Sequence, residues 1–448
     1  MLTVETQYGL LEGVQREGYT TFFGVPYAKP PIGELRWKRP QRPECWSGVR
    51  KADIFSHRAW QTVQEPPRDG NGINYAKEFY EDPAFMPEMD EDCLYLNIWT
   101  PASSADEKLP VAFYIHGGAF LNGFGSEIEF DGEGFARRGV ILVTINYRLG
   151  AFGFFCHPDL KTEDPDGCCG NYGIYDQLAA LEWVRENIAA FGGDPDKITI
   201  FGQSAGAMSV QALVSSPLTK GMIAGAIMQS GGSYKGRMNS SRTLEQALTL
   251  GRKYMEICGA ETLQQMRDLS PEKLMAGLFQ LMPVSFGMGL GLPFTPVMDG
   301  VLLTADYNEV LEKGNYPDIP YMLGSCLNDM MVQPGTDGRN SSIYCGCVNW
   351  SLINQLHGRK PAYIYQFCRQ LPGDNQGAFH SSELWYVFRT LGRCWRPMTD
   401  ADMRLADQIC DYWCNFVKSG DPNGDGLPNW APCCWEDHNV QMLDIEHE

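Results

Sequence analysis

Short apolar runs alternate along the chain with longer segments of helical periodicity. Several of these runs are apolar at every position, which is typical of central strands that helices cover on both faces. The alternation predicts an α/β fold with a central, mostly parallel, twisted sheet and helices on both faces. The predicted strands are Leu94–Trp99, Val111–Ile115, Val140–Asn146, Ile198–Phe201, Ala224–Met228, Tyr321–Gly324 and Ala362–Phe367.

Two helices have clear boundaries in this pattern. The first is predicted from Asp176 to Phe191, where an apolar stripe runs into a Gly-Gly-Asp-Pro breaker. The second is predicted to open at Thr399, with acidic residues in its first turn, and to end at Gly420, shortly before a proline. Both are expected to cover a face of the sheet.

The region from about 235 to 310 is helical in pattern and rich in Met and Gly. No repeat, low-complexity stretch or evident linker separates it from the rest of the chain. We therefore expect residues 1–448 to form a single domain, with this region as a cap-like helical insertion. Such a cap is expected to line an apolar pocket above the sheet.

The strongest chemical signal is Gly202-Gln203-Ser204-Ala205-Gly206, which directly follows an apolar strand and precedes a helix-compatible stretch. A G-x-S-x-G motif in a strand–turn–helix lifts the serine oxygen clear of the sheet, at a helix N-terminus that favours developing negative charge. The flanking glycines have no Cβ, so neighbouring backbone can approach closely. The motif predicts that Ser204 is a nucleophile; a tight glycine turn with a capping serine is the structural alternative.

A second loop, His116-Gly117-Gly118-Ala119-Phe120, also follows an apolar strand directly. Adjacent glycines let main-chain N–H groups point at one spot, as an oxyanion hole requires, and the loss of one such donor costs about 3 kcal/mol of transition-state stabilisation. The two motifs together predict acyl-transfer chemistry. Because His116 precedes the hole, we expect it to brace the loop rather than to act as the base.

Composition excludes several other classes of function. The chain has 448 residues, of which 44% are hydrophobic and 20% charged, as in an ordinary globular protein. Its formal net charge of −19 repels phosphate backbones and anionic membrane surfaces, so neither nucleic acid nor membrane is expected as a partner. No apolar stretch approaches the length of a membrane span, and the N-terminal residues do not resemble a signal peptide. We therefore expect a cytoplasmic protein.

The cysteine count agrees with a reducing compartment. The chain has 15 cysteines, an odd number scattered over its length, and reduced thiols used as small core residues are the simplest interpretation. Two close pairs, Cys345-x-Cys347 and Cys410-x3-Cys414, are candidates for a metal site, but neither has a second pair at zinc-ribbon spacing. We expect no metal and no cofactor.

Several segments, taken in order, resemble the type-B carboxylesterase/cholinesterase family of α/β-hydrolases. Phe22–Ala28 resembles the family's N-terminal block, and Glu91–Ile98 resembles its EDCLYLN signature. His116–Phe120 resembles the oxyanion loop, and Asn171–Gln177 with Phe191–Pro195 resembles the block before the nucleophile. The resemblance covers nearly the whole chain. It implies an α/β-hydrolase fold and a serine ester hydrolase that needs no cofactor.

The resemblance also assigns roles to individual residues. Ser204 matches the nucleophile, His380 the general base and Asp329 the acid that orients the base. Their chain order is the Ser…Asp/Glu…His order of α/β-hydrolases. The oxyanion hole of the family is built from the N–H groups that match Gly118, Ala119 and Ala205.

The acid is the position where the chain departs most from the family. The family usually has Glu there, preceded by Asp, whereas this chain has Asn328-Asp329. Asp is one methylene shorter, so the loop that carries the histidine must lie closer to it. Glu383 and Asp299 are the rival acids.

Two further departures concern charge and cysteine pairing. Position 203 is Gln where many members carry Glu, and this removes a negative charge beside the nucleophile. We therefore expect no preference for choline-like esters. Cys93 matches a half-cystine of secreted relatives, but the upstream stretch His57–Gln61 has no Cys, so that bridge is predicted to be absent.

The segment between the acid and the histidine is short compared with the family's. His380 follows Asp329 by 51 residues, and the intervening chain is expected to hold little beyond Ser351–His357 and the strand from Ala362. We therefore expect a shortened segment at about 330–361, a reduced helical cap, and a shallower, more open pocket that Trp385 partly refills.

The predicted function is hydrolysis of small or aromatic, fairly apolar carboxylic esters through a Ser-His-Asp triad and a covalent acyl-enzyme. The partner is then a small-molecule ester, and a monomer is expected. Two alternatives stay open at this point. One is a non-enzymatic binding protein on the same fold, and the other is the same triad acting on amide, thioester or lipid substrates.

Overall fold

A ten-stranded sheet runs through the middle of the molecule. The structure, a computed structural model, describes residues 1–67, 72–236, 241–330, 332 and 336–445. The strands are β1 Thr3–Thr6, β2 Gly9–Glu12, β3 Val14–Arg16, β4 Tyr19–Pro26, β5 Val49–Lys51, β6 Tyr95–Thr100, β7 Leu109–Ile115, β8 Ile141–Ile145, β9 Gly193–Gln203, β10 Gly225–Gln229, β11 Arg242–Thr243, β12 Val297–Met298, β13 Tyr321–Cys326, β14 Tyr363–Phe367 and β15 Gln441–Leu443. The helices are α1 Tyr75–Phe79, α2 Glu133–Ala136, α3 Gly150–Phe154, α4 Pro158–Glu163, α5 Tyr172–Asn187, α6 Ala205–Ser215, α7 Leu244–Cys258, α8 Leu263–Arg267, α9 Pro271–Gly287, α10 Tyr307–Glu312, α11 Ser342–Leu356, α12 Leu384–Val387 and α13 Asp400–Ser419.

The strand order in the large sheet is β15-β14-β13-β10-β9-β7-β8-β6-β4-β3. Neighbouring strands from β15 to β8 pair in parallel, and β8, β6, β4 and β3 pair antiparallel. After β8 the chain crosses over β7 to reach β9, so the winding direction changes at this point. Ligands of open α/β sheets bind at the carboxyl ends of the strands beside such a switch.

Both faces of the sheet are buried, as the apolar runs predict. Along β7, Val111, Phe113 and Ile115 belong to the core on one face, and Ala112 and Tyr114 belong to the core on the other. All seven predicted strands are present, as β6 to β10, β13 and β14, with limits within two residues of the prediction except at β9, which begins at Gly193 rather than at Ile198. The prediction of an α/β fold with a central, mostly parallel sheet is confirmed.

The first predicted helix begins earlier than the pattern indicates. Helix α5 starts at Tyr172 rather than at Asp176, and a single 3₁₀ turn, Ile188–Phe191, follows its end at Asn187. Asp176 is fully buried within the helix, where its carboxylate accepts two hydrogen bonds from the guanidinium of Arg148 at 2.7 and 2.8 Å. Because Asp176 is paired inside the protein, it lies within the helix and does not mark its start, so the predicted start is wrong.

The C-terminal helix has the predicted limits. Thr399 and Asp402 form a reciprocal capping box at the start of α13, and Gly420 ends the helix with φ of 76°. The carboxylate of Asp402 also pairs with Arg369, and this contact fastens the helix to the segment after β14.

The region from about 235 to 310 contains α7, α8, α9 and α10 in its described part; positions 237–240 lie outside the described residues. The Tyr254 hydroxyl on α7 donates to the Leu274 carbonyl on α9 at 2.7 Å, which ties these two helices together.

The segment at about 330–361 holds more structure than expected. Its helix α11 has 15 residues and begins at Ser342 rather than at Ser351, because Ser341 caps its N-terminus. Positions 331 and 333–335 of this segment lie outside the described residues.

The prediction that the thiols are reduced is wrong at one pair. Cys156 and Cys169 form a disulfide, with their Cα atoms 5.3 Å apart. The two cysteines are 13 positions apart in the connection between α3 and α5, and the return of the chain brings them together. Cys93 is buried with a free thiol, in agreement with the predicted absence of its bridge.

Candidate active site

The residues singled out by the sequence meet at the carboxyl ends of neighbouring parallel strands. Ser204 directly follows β9, and the loop Gly117–Ala119 follows β7. Asp329 follows β13, and His380 lies beyond β14. Because these strands run in parallel, all four segments leave the same edge of the sheet.

Ser204 occupies a sharp turn between β9 and α6. Its backbone has φ of 58° and ψ of −124°, a region that side-chain-bearing residues rarely adopt. The turn is held because the Ser204 N–H donates to the Gln229 carbonyl at 2.8 Å and the Ser204 carbonyl accepts from Met208. Backbone strain of this kind persists only where the surroundings over-determine it, and it concentrates at functional sites.

Gly202 and Gly206 are required because neighbouring main-chain atoms lie too close to leave room for a side chain. A Cβ on Gly206 would lie 2.0 Å from the Ile115 carbonyl oxygen, and one on Gly202 would lie 2.5 Å from the backbone of Gly206. Neither contact can be relieved by a side-chain rotation, since both involve main-chain atoms. The turn after β9 can therefore pack against the end of β7 only with glycine at both positions.

The loop after β7 has an unusual backbone. Gly118, Ala119 and Phe120 have φ of 93°, 58° and 60°, and a Cβ on Gly118 would lie 2.0 Å from the Asn122 carbonyl oxygen. Ala205 is the first residue of α6, a position whose N–H has no partner within a helix. The N–H groups predicted for the oxyanion hole thus come from a constrained loop and a helix N-terminus that both border Ser204.

His380 and Asp329 are in direct contact. His380 Nδ1 lies 2.5 Å from Asp329 Oδ1, and both residues are buried. The remaining acceptor capacity of the carboxylate is used by main-chain N–H groups, with Cys326 donating to Oδ2 at 2.9 Å and Met330 donating to Oδ1 at 2.7 Å. The carboxylate is therefore held in one orientation towards the imidazole.

Asn328 connects the two loops that carry this pair. Its N–H donates to the Ala378 carbonyl at 2.9 Å, and its side-chain oxygen accepts from the Ala378 N–H at 3.0 Å. Asn328 and Phe379 also form an isolated parallel β-bridge. These contacts bring the loop of His380 next to Asp329, which is how the shorter acid reaches the imidazole.

The charge on the imidazole is set by two opposing effects. Burial lowers the pKa of His380, whereas the attraction and hydrogen bond of Asp329 raise it, and the net result is a pKa above the ordinary value of 6.5. With Nδ1–H donated to Asp329, Nε2 is left as the acceptor. Gln203 Nε2 lies 3.3 Å from that atom and can donate to it.

The rival acids have other partners. Asp299 Oδ1 accepts three main-chain N–H groups, from Val301, Leu302 and Leu303, and so caps a turn. Glu383 is buried, and its carboxyl group bonds the Gln229 side chain at 3.3 Å and the Cys326 thiol at 3.0 Å. Asp329 is thus the acid that contacts His380 Nδ1.

His116 lies on the buried side of the loop. Its ring stacks on Tyr147 with the centroids 4.4 Å apart, Nδ1 contacts the Gly117 carbonyl at 3.0 Å, and the Tyr147 hydroxyl donates to the His116 carbonyl. Burial lowers the pKa of His116 to about 4. These contacts fit the predicted bracing role.

Two cavities meet at Ser204. The first, which we call the histidine-side cavity, has a volume of about 170 Å³ and is bordered by His380; its aromatic walls are Tyr75, Phe79, Tyr80, Tyr114 and Phe130. The second, the loop-side cavity, has a volume of about 400 Å³. Ala205, Met208 and the loop Gly289–Leu292 line it. Ala119, Ser204 and Met330 border both cavities.

The sequence analysis missed several residues of the histidine-side cavity. Glu127 and Glu129 line it although both are buried, and the Tyr75 hydroxyl donates to the His380 carbonyl at 3.2 Å. The only signal for the two acids is their position in a short stretch that follows the oxyanion loop. Trp385, expected to refill the pocket, stacks on Phe79 instead and lies behind the cavity wall.

The described part of the chain has no group of three or more His, Cys, Asp or Glu side chains placed to hold a metal ion. In the same part, no helix is both long enough and apolar enough to span a bilayer. The cytoplasmic location and the monomeric state stay predictions.

Comparison with known proteins places the chain in a family. The model of the carboxylesterase family matches residues 1–343 and 332–448. A para-nitrobenzyl esterase of Bacillus subtilis is 32% identical, with 99% of this chain and 95% of the relative covered. A fumonisin B1 esterase of Sphingopyxis macrogoltabida is 30% identical over 96% and 84%, and a human cocaine esterase is 32% identical over 95% and 84%.

Solved structures agree with this placement. A thermophilic p-nitrobenzyl esterase matches with a TM-score of 0.85 at 31% identity, covering 99% of this chain and 96% of its own. A carboxylesterase of Geobacillus stearothermophilus matches with a TM-score of 0.81 at 31% identity, with the same coverage. The chain therefore belongs to the carboxylesterase family of α/β-hydrolases and is a carboxylic ester hydrolase.

Proposed function

We propose that the protein hydrolyses small or aromatic, fairly apolar carboxylic esters by a Ser204–His380–Asp329 triad through a covalent acyl-enzyme. The observation that carries the proposal is the contact of 2.5 Å between His380 Nδ1 and Asp329 Oδ1 beside a positive-φ Ser204 that borders the same cavity. A buried carboxylate in this position fixes the imidazole tautomer and stabilises the imidazolium that forms during the reaction.

Acylation begins when Ser204 Oγ attacks the ester carbonyl carbon while His380 Nε2 takes the Oγ proton. The carbonyl oxygen becomes an oxyanion, which accepts hydrogen bonds from the N–H groups of Gly118, Ala119 and Ala205. The intermediate then collapses as the bond to the alcohol oxygen breaks. His380 returns its proton to that oxygen, the alcohol leaves, and the acyl group stays on Ser204.

Deacylation repeats these steps with water as the nucleophile. His380 Nε2 takes a proton from the water, the water oxygen bonds to the acyl carbon, and the same oxyanion hole holds the developing charge. Collapse breaks the bond to Ser204 Oγ, which recovers the proton from His380. The carboxylic acid leaves, and the enzyme returns to its starting state.

Because the leaving oxygen must receive a proton from His380, each cavity can be matched to one part of the ester. His380 borders only one of them, so the alcohol part of the ester belongs in the histidine-side cavity and the acyl part belongs in the loop-side cavity. The aromatic walls of the first cavity suit a ring or a compact apolar alcohol. The para-nitrobenzyl esterase relative is named for esters of an aromatic alcohol, and this supports the same substrate class.

The proposal is tested by hydrolysis of p-nitrophenyl esters from acetate to palmitate, run beside Ser204→Ala. We expect turnover of the short chains and its loss in the variant by roughly 10⁴- to 10⁶-fold, because removing the nucleophile of a triad removes almost all of its chemistry. The variant keeps the fold if its circular dichroism and melting temperature match those of the parent. Turnover that persists in Ser204→Ala, or the absence of turnover on every chain length, would contradict the proposal.

A further inference from the structure

Arg242 is a buried cation in the wall of the loop-side cavity. The residue is 8% exposed, and it lines this cavity together with Ser204. Burial lowers the pKa of Arg242 to about 10, so the guanidinium stays charged at neutral pH. No described Asp or Glu side chain pairs with it or raises that pKa. The positive charge is therefore buried without a counter-ion among the described residues.

Buried arginines elsewhere in the described chain are paired. Taking a charge out of water is costly, and a buried charge is normally compensated by an opposite one. Arg242 is the exception among the five buried arginines that the structure describes. The four others each form an ion pair with a carboxylate: Arg36 with Glu91, Arg148 with Asp176, Arg267 with Glu163, and Arg396 with Glu78. Arg242 borders a cavity of about 400 Å³, where an acyl group can carry the missing charge.

Main-chain carbonyls account for the hydrogen bonds of Arg242 but not for its charge. Its Nη1 donates to the Pro293 carbonyl at 2.5 Å, and its Nη2 donates to those of Leu290 and Leu292 at 2.7 and 2.5 Å. These contacts hold the loop in the cavity wall, and they use three of the five N–H groups of a guanidinium. Carbonyl dipoles carry no net charge, so this clamp on the loop leaves the cation uncompensated.

The other polar groups of the loop-side cavity also suit an anion. None of its described lining residues is Asp or Glu, whereas Glu127 and Glu129 line the histidine-side cavity. Ser241 and Tyr307 line the loop-side cavity, and their hydroxyl groups are buried without a hydrogen-bond partner among the described residues. A hydroxyl group can donate to a carboxylate, and such charge-assisted bonds are among the stronger ones. An anion is therefore favoured on the acyl side of Ser204.

We propose that Arg242 binds a second carboxylate group at the far end of the acyl part, so that the preferred substrates are half-esters of dicarboxylic acids. This inference rests on the proposed function, which places the acyl part in the loop-side cavity, and it confines the apolar character of the ester to the alcohol and the connecting chain. The free carboxylate would accept hydrogen bonds from the guanidinium and supply the counter-charge that the described residues do not. Met208, Leu290 and Leu292 line the same cavity and give the connecting chain an apolar wall.

The test compares the benzyl half-esters of succinate, glutarate and adipate with the benzyl esters of the corresponding monoamides, in which a carboxamide replaces the free carboxylate. The two members of each pair have nearly the same shape and the same leaving alcohol, and chromatography follows the release of benzyl alcohol. The measured quantity is the ratio of kcat/KM for the acid to kcat/KM for the amide at neutral pH. In the parent enzyme we expect a ratio of about ten or more at the chain length that fits. Because the net charge of −19 repels anions in general, a preference for the acid requires a local cation.

Arg242→Gln removes the charge and keeps a side chain that can donate to carbonyls. We expect it to lower the acid-to-amide ratio by about tenfold or more, since a charged hydrogen bond becomes a neutral one. Arg359→Gln is the matched control, because Arg359 also donates to a main-chain carbonyl, that of Gly314 at 2.8 Å, and borders neither cavity at Ser204. It removes the same charge from the protein and should leave the ratio unchanged.

The outcomes separate this inference from the proposed function. If the enzyme hydrolyses p-nitrophenyl acetate by way of Ser204 but shows no preference for the acid at any chain length, the carboxylate site is wrong and the ester hydrolase stands. The same conclusion follows if Arg242→Gln lowers both kcat/KM values in equal proportion, because Arg242 then only clamps the loop. The comparison in the parent enzyme decides the question even if the variant fails to fold. If neither p-nitrophenyl acetate nor any benzyl ester is hydrolysed with Ser204 dependence, the proposed function itself fails.

Discussion

The two halves of the proposed active site are built in different ways. The nucleophile half consists of the turns after β7 and β9, and its geometry is imposed by main-chain contacts such as that of Gly206 with the Ile115 carbonyl. The acid–base half consists of the loops after β13 and β14, and it is held by side-chain hydrogen bonds between Asn328, Asp329 and residues some 50 positions away. The first half is constrained because its main-chain segments pack so closely that only glycine fits between them. The second half is held in position by hydrogen bonds between particular polar side chains and the loops around them.

Among variants that keep Ser204, the largest effect is expected in the acid–base half. In Asp329→Asn the imidazole loses the anion that orients it and stabilises its charged form, so kcat should fall by about 10⁴-fold with little change in KM. Steady-state kinetics on p-nitrophenyl acetate measure this fall. Asp299→Asn is the matched control, because Asp299 bonds main-chain N–H groups of its own turn and the Tyr175 hydroxyl and does not contact His380, and a comparable fall in kcat there would refute the assignment of the acid.

The pH profile of kcat/KM checks the same pair independently. His380 must be neutral to act as a base, and its pKa is raised above 6.5 by Asp329, so activity in the parent should decline as the pH falls through a value above 6.5. In Asp329→Asn the attraction is gone while burial, which lowers the pKa of His380, remains. The declining limb of the residual activity should therefore move to lower pH, and a limb that stays in place would mean that another group controls it.

In the nucleophile half, the addition of a single methyl group should lower both activity and stability. In Gly206→Ala the new Cβ meets the Ile115 carbonyl at 2.0 Å, and the displacement of the turn should lower kcat/KM by about 100-fold together with the melting temperature. Gly287→Ala changes a helical glycine whose Cβ would have no neighbour within 4 Å, so both quantities should stay near their parental values. Full activity in Gly206→Ala would show that the turn is not constrained as described.

A smaller effect is expected from the connection between the two loops. Asn328→Ala removes the side-chain acceptor of the Ala378 N–H, and one neutral hydrogen bond is worth about 1 kcal/mol, so kcat should fall roughly five- to tenfold at unchanged KM. Asn423→Ala offers the matched control. Asn423 joins two loop segments through its side chain, which accepts from the Trp430 N–H and donates to the Trp430 carbonyl, and it borders neither cavity at Ser204. Asn423→Ala should lower thermal stability at least as much as Asn328→Ala and leave kcat unaltered, and equal losses of kcat in both variants would indicate a global effect instead.

Local rules were sufficient where a feature depends on neighbouring residues. The apolar runs predicted the central strands, and Thr399 and Gly420 predicted both ends of α13, because caps and strand periodicity are properties of a few consecutive positions. Local rules failed at Asp176 and Cys169. The partners of these two residues, Arg148 and Cys156, come from segments that only the folded chain brings near.

By itself, the sequence determined the fold class and the turns that follow β7 and β9, because each of these rests on contiguous residues with a steric requirement. It also supplied, by resemblance, the residues expected to complete the triad. Only the tertiary structure decided which acid contacts His380, how Asn328 draws the two loops together, and that Glu127 and Glu129 line the cavity beside Ser204. These are contacts between distant segments, and no pattern along the chain records which side chains a fold will bring face to face.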